Sequence, residues 1–299
     1  MTRAQLFLLA IDHRRSMERL FAIDQPVGAA DRERLVAAKA LVAQALGDVV
    51  AGRAGAHGDE QLGILVDDEY GAGAIASARA AGVAVALAFE RSARAVVEFE
   101  HDDWRRQLVD DPPTMAKVLI RHRADGDAGE VATQLARLGE ISDACAEGPV
   151  EFLLELLTPF SAAEREAGEE RLELDVRPRL VVEAIEQIRD AGVDPDVWKV
   201  EGVADAAACA GIAEAARRGG RDDVRIVVLG AGAPQDTVDR WLVAAAAGDY
   251  DGFAVGRSIW ADAVVAHDHG ALDAAAARAQ VAARYASFID TFTAAAARA

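Results

Sequence analysis

Short apolar runs recur along the chain, each closed by polar or glycine residues and most followed by a stretch with helical spacing. Residues 5–11 form the first run, closed by Asp12-His13-Arg14-Arg15, and residues 31–46 then have helical spacing with Asp31 placed as an N-cap. A second run at 62–66 ends in Asp67-Asp68-Glu69-Tyr70-Gly71, ahead of a small-residue helix at 73–81. A third at 83–89 ends at Glu90, and residues 91–114 read as an irregular polar connection with the character of a lid. Strands are predicted next at 117–122 and 151–157, with a helix at 128–147 between them. After a charged excursion at 161–174 come a helix at 177–191, a strand at 196–201 and a helix at 204–218. Strands at 224–229 and 251–255 flank a helix at 236–247, and helices fill the chain from 259 onward. Eight apolar strands separated by helices, at intervals of roughly 30 residues, predict parallel pairing and a closed (β/α)8 TIM barrel over residues 1–299 as a single domain. An open doubly wound sheet is the rival, but it lacks an early glycine-rich dinucleotide fingerprint.

In such a barrel the chemistry lies at the C-terminal strand ends. Side chains alternate along a strand, so Lys199 shares a face with Val197 and Glu201, Glu155 with Leu153 and Leu157, and Lys117 with Leu119 and Arg121. Burial of a lysine disfavours its ammonium form and frees the amine lone pair, which a Schiff-base enzyme uses against a ketone or aldehyde. The chain has 32 Lys and Arg, yet only Lys39, Lys117 and Lys199 are lysine. Guanidinium cannot serve as that nucleophile, so lysines kept on strands in such a chain point to a need for an amine. The plainer alternative for Lys199, Glu155 and Lys117 is a structural ion pair closing the barrel. Gly230 and Gly232 after the seventh strand, with Gly256 and Arg257 after the eighth, supply backbone amides and a cation where these barrels bind phosphate; tight turns would explain the glycines but not the arginine. Asp12, His13, Arg14, Glu69, Arg121 and Glu201 are further substrate-contact candidates at strand ends.

Composition narrows the classes. The apolar share of 52% supports a sizeable core, and a net charge of −18 disfavours nucleic acid and anionic membranes as partners. Cys145 and Cys209 are too few for a disulfide framework and read as free buried thiols. No metal constellation is evident, and His267 and His269 read as surface residues. No N-terminal signal is seen and no apolar run approaches the roughly 20 residues that span a bilayer, so a cytoplasmic enzyme that needs no cofactor is expected.

Five segments together carry a resemblance: Leu9-Ala10-Ile11-Asp12-His13-Arg14, Val66-Asp67-Asp68-Glu69-Tyr70-Gly71, Ala116-Lys117-Val118-Leu119-Ile120-Arg121-His122, Trp198-Lys199-Val200-Glu201-Gly202 and Gly252-Phe253-Ala254-Val255-Gly256-Arg257-Ser258-Ile259-Trp260. In this order they resemble the aldolase domain fused to 5-dehydro-2-deoxygluconokinase in some bacterial inositol-degradation proteins, itself similar to class I tagatose-1,6-bisphosphate aldolases. The resemblance spans roughly residues 5–290. It implies a metal-independent lyase with Lys199 as Schiff-base lysine, Glu155 as proton-transfer group, Lys117 beside it, and phosphate held by Arg257 with Gly230, Gly232 and Gly256. The implied substrate is a small sugar phosphate, first 2-deoxy-5-keto-gluconate 6-phosphate, which would give dihydroxyacetone phosphate and malonate semialdehyde. Tagatose 1,6-bisphosphate or a sulfo-sugar phosphate is the alternative within the same chemistry, and a non-catalytic sugar-phosphate-binding barrel the alternative outside it. A homo-oligomer is common for the architecture. The chain departs from the pattern at His122-Arg123-Ala124-Asp125, where the family often has His-Pro-Asp, and in the charged residues 161–174.

Overall fold

The computed structural model describes residues 3–53, 60–166, 168 and 171–299. Its centre is a closed barrel of eight strands in sequence order: β1 (Gln5–Ala10), β2 (Glu60–Val66), β3 (Ala84–Ala88), β4 (Met115–Arg121), β5 (Glu151–Leu157), β6 (Val197–Glu201), β7 (Arg225–Leu229) and β8 (Gly252–Val255). Every neighbouring pair is parallel, and β8 returns to β1 through Phe7 opposite Phe253. This is the (β/α)8 architecture that eight helix-separated apolar runs predict.

Alternation along the strands sorts the apolar side chains into two cores. Leu6, Leu8, Leu65, Met115, Leu153, Val197 and Val227 form a small inner cluster. Phe7, Leu9, Phe152, Leu154, Trp198 and Val200, one position out of phase, join the shell between strands and helices. At the N-terminal end of the barrel Arg225 donates to Gln61 Oε1 and Glu151 Oε2, both at 2.6 Å. The inner cluster fills the lower barrel with hydrocarbon, leaving the C-terminal mouth as the place where polar side chains can enter.

The outer ring contains α1 (Arg15–Leu20), α2 (Ala29–Arg53), α3 (Asp68–Ala80), α4 (Trp104–Asp110), α5 (Ala128–Ala146), α6 (Ala162–Arg165), α7 (Arg177–Asp190), α8 (Ala206–Arg217), α9 (Gln235–Ala247), α10 (Arg257–Asp268) and α11 (Ala274–Ala296), with a π-helical turn, Leu172–Val176, leading into α7. Four expectations change. Asp31 lies in the first turn of α2, bonded to Arg34, and does not cap it. The third helix begins at Asp68 because Asp67 caps it, its carboxylate accepting from Tyr70 N at 2.9 Å. The stretch 91–114 is partly ordered into α4 and a Glu90–Phe99 bridge. Finally, α2 is by length and composition apolar enough to cross a membrane, with mean hydropathy 1.5 over its most apolar window. Half of that window is buried in the molecule. The other half mixes alanine, valine and glycine with the polar Gln44 and Asp48.

The last helix, α11, covers the seam where β8 meets β1. Phe253 meets Tyr285 and Phe288 edge-on, Phe7 meets Phe292, and the Tyr285 hydroxyl donates to the Phe7 carbonyl at 2.7 Å. Cys145 and Cys209 are buried and free.

Candidate active site

Lys117, Glu155 and Lys199 come from three successive strands, and the register sets their order. Glu155 lies directly beside Lys199, and Lys117 is one inward-facing position below Glu155 on the neighbouring strand. All three point into the barrel above the inner apolar cluster, and all are buried. Lys199 Nζ lies 2.9 Å from Glu155 Oε1, and Lys117 Nζ lies 3.0 Å from Glu155 Oε2. Glu155 therefore bridges two lysine side chains.

Two further carboxylates converge on Lys117. Its ammonium donates to Asp12 Oδ2 at 2.6 Å and to Glu90 Oε1 at 2.8 Å. Asp12 and Glu90 take two of its three N–H donors, while Glu155 Oε2 is in ion-pair contact at 3.0 Å without a hydrogen bond. Burial works against a charge on Lys117, but Asp12, Glu155 and Glu90 outweigh it and hold its pKa well above the ordinary lysine value. Burial likewise opposes ionisation of Glu155 and Asp12; Lys117 and Lys199 overcome it and keep both below the usual carboxylate range. Glu90 goes the other way: burial raises its pKa, with Lys117 and Arg14 only partly offsetting.

The loop after β1 is braced from behind. Fully buried Lys39, on α2, donates to the carbonyls of Ile11 at 2.5 Å and His13 at 3.0 Å and pairs closely with Asp67. Burial lowers its pKa, with Asp67 opposing. His13 stands edge-on to Trp260, and burial, with Arg257, Lys199 and Lys39 nearby, brings its pKa to about 4 against the pull of Asp12. It is neutral near pH 7.

Asp12, His13, Arg14, Glu90, Lys117, Arg121, Glu155, Lys199, Glu201, Gly230, Gly232, Gly256 and Arg257 all line one open cavity of about 420 Å3. Some are already engaged. Arg14 donates to the Glu90 carbonyl and to Glu100 Oε2, at 2.5 and 2.9 Å. Glu201 accepts from Thr158 N and Oγ1 and pairs with Arg177. Arg121 is exposed at the rim. Glu69 is not brought to this cavity: it is exposed in the first turn of α3 and lines a neighbouring recess. The acidic cluster after β2 starts a helix at once, which carries Glu69 away from the mouth. Glu90, placed at a strand end by the sequence but given no role there, and Lys39 gain their partners only in the structure. In the sequence Glu90 merely ends an apolar run, and Lys39 is one lysine on an alanine-rich helix.

At the β7 and β8 ends close packing and backbone conformation call for glycine. A Cβ on Gly256 would sit 2.3 Å from the Ala10 carbonyl oxygen, and Gly232 has φ +76° beside the Arg257 guanidinium. Arg257 Nη2 donates to the Ala231 carbonyl at 3.1 Å, while its buried Nε has no partner. Gly256 precedes α10, which opens with the Arg257 and Ser258 amides ahead of Ile259 N and Trp260 N, the latter two donating to the Gly256 carbonyl at 2.8 and 3.3 Å. Among the described residues no group of three or more His, Cys, Asp or Glu side chains is placed to hold a metal ion.

A family profile described as "Uncharacterized protein conserved in bacteria (DUF2090)" matches residues 1–296. The chain belongs to the DUF2090 family. No curated protein matches this DUF2090 chain in sequence. Solved structures resemble it in fold. A fructose-bisphosphate aldolase from Plasmodium falciparum aligns over 95% of this chain and 89% of its own, with TM-score 0.64 and 12% identity. An archaeal fructose-1,6-bisphosphate aldolase, captured with its catalytic lysine covalently bound to the carbinolamine intermediate, aligns over 97% and 94%, with TM-score 0.59 and 14% identity. A fructose-bisphosphate aldolase from Slackia heliotrinireducens aligns over 93% and 85%, with TM-score 0.55 and 18% identity. At these identities the likeness of the DUF2090 chain to them is one of fold.

Proposed function

We propose that the protein is a Schiff-base aldolase that cleaves a phosphorylated keto sugar or sugar acid, with Lys199 as nucleophile. The observation that carries this reading is the Glu155 carboxylate held between Lys199 and Lys117, at 2.9 and 3.0 Å. The two lysines are unlike. Lys117, surrounded by three carboxylates and hydrogen-bonded to two of them, remains an ammonium. Among the described residues Lys199 has a single ion-pair partner, and that partner can take its proton.

Lys199 adds to the substrate ketone and passes a proton to Glu155. The carbinolamine loses water as Glu155 returns that proton to the departing oxygen, leaving a protonated imine. Glu155 then removes the proton of the hydroxyl one carbon beyond the adjacent carbon. The C–C bond breaks, its electron pair enters the imine system as an enamine, and an aldehyde departs. Protonation of the enamine carbon and hydrolysis of the imine free the second product and Lys199. Arg257 with the backbone of Gly230, Gly232 and Gly256 would hold the phosphate. With 2-deoxy-5-keto-gluconate 6-phosphate as substrate the products are malonate semialdehyde and dihydroxyacetone phosphate, and a panel of ketose phosphates discriminates it from tagatose 1,6-bisphosphate and sulfo-sugar phosphates. In this reading the acidic chain works in the cytoplasm on a small metabolite.

Borohydride reduction in the presence of dihydroxyacetone phosphate tests the central step. The expected result is a covalent adduct mapped by mass spectrometry to Lys199 and absent from Lys199→Met. Absence of the adduct from the unsubstituted protein refutes the mechanism.

A further inference from the structure

Glu90 takes part in no step above, yet it is built into the cavity wall. It stands just past the end of β3, is 7% exposed, and is held by the bridge to Phe99 and by Arg14 on its carbonyl. Its Oε1 is committed to Lys117. Its Oε2 is buried and has no hydrogen-bond partner. A buried carboxylate oxygen left without a donor is costly, and in a cavity wall it marks a place where a ligand supplies the missing partner.

The barrel gives that place an address. Counting round the closed sheet, β3 is four strands from β7 in either direction, so Glu90 faces the seat formed by Gly230, Gly232 and Arg257 across the mouth. Lys199 on β6 lies between them on the β4–β5–β6 side. On the reading of Lys199 as nucleophile and Arg257 as anion seat, a chain anchored at its phosphate and joined through its ketone runs toward β3. Its carbons beyond the ketone then arrive at Glu90.

We infer that Glu90 is a specificity residue, whose Oε2 hydrogen-bonds a hydroxyl on the substrate carbons beyond the ketone. A phosphate brought to this atom would meet a carboxyl group, and the neighbouring rim arginines offer it little, since Arg91 and Arg94 both pair with Glu98, at 3.6 and 3.3 Å. A hydroxyl suits the site in either protonation state, donating to a carboxylate or accepting from a carboxylic acid.

The test uses two open-chain phosphates without a carbonyl, so that it does not depend on Schiff-base chemistry: glycerol 3-phosphate, which ends before Glu90, and mannitol 1-phosphate, whose further hydroxylated carbons reach it. Affinities are measured by calorimetry for the unsubstituted protein, Glu90→Ala and Glu90→Gln. The expected result is that Glu90→Ala weakens mannitol 1-phosphate by about tenfold more than it weakens glycerol 3-phosphate, the size of one lost hydrogen bond to a charged group, and that Glu90→Gln restores most of the difference. Equal weakening of both ligands would mean that Glu90 acts only by holding Lys117, and would overturn the inference, as would no change for either or failure of the unsubstituted protein to bind mannitol 1-phosphate. The borohydride experiment on Lys199 is read separately, so the nucleophile can fail while the Glu90 result stands.

Discussion

Three carboxylates converge on Lys117 and one on Lys199. Removing the Lys117 ammonium leaves Asp12, Glu90 and Glu155 in a desolvated cluster, with Lys199 and Arg14 left to offset three carboxylates. Lys117→Met should therefore destabilise the fold by roughly 3–5 kcal/mol, the usual cost of breaking a buried pair from one side, and urea unfolding measures it. An unchanged unfolding midpoint would show that water reaches the cluster and that the network does not hold charge as described. At this scale the sequence was informative where alternation along one strand decides direction: Lys199, Glu155 and Lys117 share inward faces with Val197, Leu153 and Leu119. It was silent where partners come from strands far apart in the chain. Nothing in the apolar run ending at Glu90 tells that Lys117, on the next strand, will reach back to it and also across to Asp12. Lys39 was illegible for a related reason, because helical spacing does not reveal that the carbonyls of Ile11 and His13 lie above it.

The proposed anion seat depends on the turn between β8 and α10. Gly256→Ala would drive a methyl group to 2.3 Å from the Ala10 carbonyl oxygen and 2.6 Å from His13 Cε1, so the backbone of β1 or α10 has to move. A loss of about 1–3 kcal/mol is expected from this overpacking, together with weaker binding of inorganic phosphate. Gly73→Ala in α3 is the matched control: its Cβ meets open space, and thermal unfolding should show no loss and a small gain from helix propensity. If Gly256→Ala keeps both stability and phosphate affinity, the close approach of β8 to β1 plays no part in the seat. The strands were the legible elements, because continuous apolar runs bounded by glycine or charge have few other uses. Helix starts were less so. The helix reads from 73 in the sequence, but Asp67 caps it and Asp68 and Glu69 fill its first turn, where acidic residues are favoured, and that late start placed Glu69 at the mouth. The seven-residue α4 has too few turns to show a period.

Across the whole molecule, arginine has taken over the exterior. Arg34 joins α2 to Asp268 on α10, Arg53 joins α2 to Asp290 on α11, and Arg278 on α11 returns to Asp48 on α2. These pairs lace the helical ring together while the net charge stays at −18. All three lysines, by contrast, are inside: Lys39 and Lys117 are 0% exposed and Lys199 4%. To amine chemistry the folded exterior thus offers no lysine side chain. A bulky succinimidyl ester is expected to leave all three ε-amines unacylated in native buffer and to modify them once urea opens the barrel, which peptide mapping distinguishes; native acylation at Lys39 or Lys117 would contradict the packing. Two ε-amines line the cavity, Lys117 held by three carboxylates and Lys199 by one; on the Schiff-base reading Lys199 is then a built-in address for site-selective conjugation with a small aldehyde, with no engineered handle needed.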